Sequence, residues 1–75
     1  MPVFHVFLRG DDQADSYWIK ASSYAVARRL IALNVAGAED ARDRTKFGCA
    51  FDSGNPPPAD FIHRRLLSPV PITKR

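Results

Sequence analysis

Seventy-five residues hold 34 apolar side chains, which are ten alanines, Met1, Cys49 and 22 bulky Val, Ile, Leu, Phe, Tyr and Trp residues: enough for one small core and not for two. The charges sum to +3, yet residues 1–60 carry seven positive and eight negative groups, whereas residues 61–75 carry Arg64, Arg65, Lys74 and Arg75 and no acid, a basic C-terminus able to attract phosphate or an acidic protein surface. A single cysteine, Cys49, excludes an internal disulfide and points to a reducing, cytoplasmic setting, and no stretch resembles an export signal or approaches the roughly 18 apolar residues of a membrane span.

A strand is predicted over Val3–Leu8, rich in aromatic and β-branched residues and closed by Arg9-Gly10-Asp11-Asp12. Val3, His5 and Phe7 share one face and Phe4, Val6 and Leu8 the other; both are largely apolar, as in a strand with a neighbour on each side. Arg9-Gly10-Asp11 spells an integrin-type tripeptide, read here as turn chemistry, glycine supplying a positive φ and aspartate a cap. The polar loop Gly10–Ser16 leads to a second strand, Tyr17–Ala21, most simply the antiparallel partner of the first. Ser22 or Ser23 is a suitable N-cap for a helix from Tyr24 to about Val35. Val26, Ala27, Leu30, Ile31, Leu33 and Asn34 form its buried stripe, Arg28 and Arg29 point outwards or to the edge, and Gly37 is a natural stop. Residues 38–46 hold no bulky apolar side chain and are expected on the surface, with Asp40 and Arg44, and Glu39 and Arg42, spaced to pair along a short helix. The alternation of Phe47, Cys49 and Phe51 predicts a third strand.

Ser53-Gly54-Asn55-Pro56-Pro57-Pro58 breaks the pattern and reads as a linker. Beyond it the spacing fits either a short helix with Phe61, Ile62, Arg65 and Leu66 on one face or a fourth strand, and Val70–Thr73 is at best an edge strand. The expected architecture is α+β: a small single domain whose antiparallel three- to four-stranded sheet, in β-β-α-β order, is packed by one main helix. Residues 1–55 would form the core and residues 56–75 a proline-rich basic segment, either of the same domain or an arm.

Little catalytic chemistry is offered. Cys49, in phase with Phe47 and Phe51, reads as a core filler, and His5 as a satisfied core or edge histidine. One cysteine and two distant histidines lack the paired spacing of a zinc site, and four isolated glycines make no phosphate loop, so no metal or cofactor is implied. The opening run from Pro2 to Leu8 resembles the first strand of the small tautomerases, which implies an N-terminal proline acting as general base once Met1 is removed. The resemblance ends where those proteins enter a helix and this chain shows a second strand.

Two strands, a loop and a packed helix also resemble in outline the arm-binding domains of phage-type integrases. That resemblance implies phosphate contacts from Arg9, Lys20, Lys46, Arg64, Arg65, Lys74 and Arg75, with exposed Tyr17 or Trp18 stacking on bases. Against it stand Asp11, Asp12 and Asp15 in the loop that would meet phosphate. The expected function is a non-enzymatic binding protein that occupies a surface on a protein partner, like compact inhibitors and regulators of phages and mobile elements, or that self-assembles as a homodimer. Tyr, Trp, Phe and Arg are the residues that interface hot spots use. Nucleic-acid binding is the alternative, and a tautomerase-like enzyme using Pro2 the third. The expected contact residues are Trp18, Arg28, Arg29, Arg64, Arg65, Asp11 and Asp12, with acidic loop and basic tail able to meet across a homodimer.

Overall fold

The computed structural model describes residues 1–54 and 56–75; Asn55, inside the proline break, lies outside the described residues. Its elements are strands β1 (Val3–Leu8) and β2 (Ser16–Lys20), helix α1 (Tyr24–Asn34), a 3-10 turn at Glu39–Arg42, and strands β3 (Phe47–Phe51), β4 (Phe61–Arg64) and β5 (Val70–Pro71). The strands form one antiparallel sheet in the order β3-β1-β2-β4-β5. The fold is α+β, with five strands where three or four were expected, because the chain beyond the prolines returns to the sheet twice.

Register assigns the faces. Phe4 stands opposite Ile19 and Phe51, and Val6 opposite Tyr17 and Cys49, so these side chains share the face covered by α1. Ala27, Leu30 and Ile31 of the helix pack there with Ile62 of β4. Tyr17 is consequently buried rather than exposed as a stacking group. Cys49 is half-buried against the same core, and burial pushes its thiol pKa up. The helix begins at Ser23, whose hydroxyl accepts from the Val26 amide at 3.2 Å. Leu33 departs from the predicted stripe and is exposed, because the stripe continues through Val35 instead.

Residues 38–46 differ most from expectation. Ala38 and Ala41 are fully buried, since their small side chains let the 3-10 turn press close against α1. The predicted ion pairs do not form. Asp40 pairs with Lys46 at 3.0 Å instead of Arg44, and Glu39 accepts the Gly37 amide instead of meeting Arg42. Gly37 has a φ of 88°, the positive value a turn just after the helix requires.

The C-terminus is fastened by one helix residue. Asn34 donates to the carbonyls of Leu30 (2.9 Å) and Lys74 (2.8 Å) and accepts the amides of Thr73 (3.0 Å) and Lys74 (2.9 Å). Arg75 adds an ion pair to Asp60. Asn34→Ala is expected to destabilise the protein by about 1–3 kcal/mol and to release residues 73–75; faster amide exchange at Thr73 and Lys74 is the readout.

Candidate functional site

Two depressions carry the polar chemistry. The first opens on the uncovered face of the sheet, where alternate residues of β1, β2 and β4 bring four rings into one strip. His5 stacks on Trp18 with centroids 4.3 Å apart and planes 9° from parallel; Phe7 follows at 5.2 Å from His5, and His63 at 5.4 Å from Trp18. Trp18 and His63 are direct cross-strand partners, as are His5 and Trp18. The tip of the Phe7 ring lies against Gly48, where a Cβ would overlap it. The indole N–H of Trp18 donates to Asp52 at 3.0 Å, fixing the ring's azimuth.

Three of these rings, His5, Phe7 and Trp18, form one wall of a depression of about 450 Å³, whose rim is completed by Asp11, Asp12, Asp15 and Arg65. Gly10, at φ 75°, turns the loop, and the Asp11 carboxylate caps the amides of Gln13 (3.0 Å) and Ala14 (3.2 Å), so Arg9-Gly10-Asp11 is turn chemistry as expected. The β4–β5 hairpin is stapled to this loop. Arg65 donates to the carbonyls of Asp12 (2.9 Å) and Ala14 (2.6 Å), and the Leu66 amide donates to Asp15 at 2.9 Å. Acidic loop and basic tail thus meet within one chain and need no second copy to do so.

Among the residues that line this depression, two buried atoms have no hydrogen-bond partner among the described residues: His5 Nε2 and Asp15 Oδ2. His5 is therefore not the satisfied histidine its strand suggested. Burial lowers its pKa below the ordinary 6.5, partly offset by Asp52 and reinforced by Arg65. The bond from Trp18, then that from the Gly54 amide, lowers the Asp52 pKa. The unfolded chain accordingly takes up protons before the folded one does, and stability must fall on acidification. The urea midpoint is expected to hold between pH 6.5 and 9.0, the ordinary imidazole and thiol values, and to drop as pH falls through 6.5. A further drop follows below 3.8, the ordinary aspartate value, as Asp52 protonates. His5→Phe, which keeps a stacking ring, should flatten the first step only.

The second depression, of about 290 Å³, lies on the helix side and is lined by Ala25, Arg28, Arg29, Arg42 and Arg44. Arg28 does not point outwards. It is only 8% exposed, and its Nη1 donates to the carbonyls of Ala41 (3.0 Å) and Phe47 (2.9 Å), tying α1 to the 3-10 turn and to the start of β3. Arg9 joins the same region, its Nε donating to the Arg44 carbonyl at 2.9 Å.

No family model, no curated protein and no solved structure matches the chain. Of the expected contact residues, Trp18, Asp11, Asp12 and Arg65 converge on the first depression, and Arg28 and Arg29 on the second. Arg64 joins neither; its Nε donates to the Ser68 carbonyl inside the β4–β5 hairpin at 2.6 Å. Pro2 lines neither depression, and its carbonyl accepts the Ala21 amide at 3.1 Å. Sequence reasoning missed His5, Phe7 and Asp15 at the first site and Arg42 and Arg44 at the second. The signal for Arg42 and Arg44 was Ala38 and Ala41, three residues apart, a spacing that lets a turn approach a helix closely. No helix is long and apolar enough to cross a membrane among the described residues.

Proposed function

We propose that the chain is a small binding protein that acts by occupancy, docking a protein partner through the uncovered sheet face and receiving a cationic side chain of that partner in the first depression. The observation that carries this reading is the acidic rim beside the aromatic strip: Asp11, Asp12 and Asp15 line one depression with Trp18 and Phe7. A carboxylate oxygen is an acceptor only, so this rim suits a donor-rich group such as ammonium or guanidinium. Trp18 and Phe7 line the same depression, and aromatic rings attract a cation.

The alternative, a stacking platform for nucleic acid, is weakened by what surrounds the rings. Asp11, Asp12 and Asp15 rim the depression, and a fourth carboxylate, Asp52, holds the Trp18 indole, whereas a single guanidinium, Arg65, lines it with two bonds already directed at carbonyls. Phosphate would meet like charge there.

Trp18 is the only tryptophan, so its emission reports occupancy directly. Short peptides with a central Arg, Lys or Glu in an otherwise identical frame are the probes. Saturable change with Arg or Lys peptides, absent with Glu and lost in Asp15→Asn, is the expected result. Equal response to the Glu peptide, or a response to single-stranded oligonucleotide alone, overturns the reading.

A further inference from the structure

We infer that the second depression is an oxyanion site that takes a compact phosphate ligand with several negative charges, of the diphosphate class. It goes beyond the reading above and uses none of the same residues.

Four guanidinium groups, those of Arg28, Arg29, Arg42 and Arg44, line one concavity, and none has a carboxylate within ion-pair distance among the described residues. The acids that could neutralise them stand in the same stretch of chain and are engaged elsewhere. Asp40 meets Lys46, Glu39 meets the Gly37 amide, and Asp43 accepts the Thr45 amide (2.9 Å) and hydroxyl (2.6 Å). Like charges gathered in this way repel, and one of them, Arg28, is nine-tenths buried and bonded only to neutral carbonyls through Nη1. A guanidinium has five N–H donors in a rigid fork, so Arg28, which lines the cavity with its neighbours, retains donors on Nε and Nη2 that no protein group takes up among the described residues. Arg29, Arg42 and Arg44 donate no hydrogen bond from their side chains among the described residues and are free to converge on an anion.

Charge and size then select the ligand. A single phosphate group carries about −1.5 to −2 near neutral pH; linking two raises the ligand's charge without doubling it, and so comes nearer to four guanidinium charges than one group can. A cavity of about 290 Å³ is at the small end of ligand pockets, too small for an extended molecule to be enclosed. Its concave form with one buried arginine suits a compact group entering end-on better than the outer surface of a duplex, which would reach only the exposed arginines.

Isothermal titration of the whole chain with inorganic pyrophosphate, at constant ionic strength, tests this. One site is expected, with orthophosphate binding at least about tenfold more weakly and chloride not competing. Arg29→Ala with Arg42→Ala, both exposed and without structural bonds, should weaken pyrophosphate about tenfold or more while leaving the melting temperature and the Trp18 response to cationic peptides unchanged. Wild-type affinity in that double variant, or no heat with pyrophosphate, overturns the inference. Binding of single- or double-stranded oligonucleotide through these arginines with no binding of pyrophosphate also overturns it, in favour of a nucleic-acid surface.

Discussion

Replacing Ile62 with alanine is expected to lower stability by about 2–5 kcal/mol, whereas Leu66→Ala and Leu67→Ala should each change it by less than about 0.5 kcal/mol. All three are large aliphatic residues of the stretch beyond the prolines. Ile62 is 0% exposed beneath α1, while Leu66 and Leu67 are 58% and 60% exposed in the hairpin that follows. The whole protein is expected to hold about 4–11 kcal/mol at this length, so the loss at Ile62 is a large part of the total. Urea unfolding followed by Trp18 emission measures it. A midpoint in Ile62→Ala close to that of the parent would mean that β4 unfolds apart from the rest, contrary to its place beside β2 and against the helix.

Arg28→Met should cost about 2–4 kcal/mol even though the replacement fills most of the same volume and removes a charge from a crowded basic cluster. The carbonyls of Ala41 and Phe47 lose the donor they share, in a place where α1 and the 3-10 turn leave little access to water. Arg28→Lys should fall between the two, since one ammonium on a longer flexible stem cannot reproduce a fixed fork. The same urea series distinguishes a strut from a mere charge: a neutral effect of Arg28→Met would show that the guanidinium holds nothing together.

What the sequence made legible follows from how locally each element is determined. Val3–Leu8 and Phe47–Phe51 are strands of the residue types that favour strands, and both were located to the residue; Ser23 caps α1 through a contact three residues long. Arg28 was misread because what buries it comes from residues 13 and 19 positions further along, and from backbone carbonyls that no side-chain pattern announces. Phe61 and Ile62 belong to a run too short to separate a period of 2 from one of 3.6. The aromatic strip depends on register. His5, Trp18 and His63 lie on three strands and meet only because β2 pairs with β1 on one side and β4 on the other. Asp15 reads as an ordinary loop acid until Leu66 is seen to bind one of its oxygens and leave the other bare.

The order β3-β1-β2-β4-β5 has a kinetic consequence. The β1–β2 hairpin is the early local pairing; Val6 with Cys49 and Trp18 with His63 join residues more than forty apart, and β5 can zip up only on β4. Closing such loops precedes any gain from the contacts they allow, which makes folding slower than in helical bundles of the same length. During synthesis, the first two strands and the helix therefore wait with an open apolar face until the last quarter of the chain has emerged. A nascent chain stopped before residue 61 lacks the side chain that seals that face, and is the form of this protein most exposed to aggregation and proteolysis.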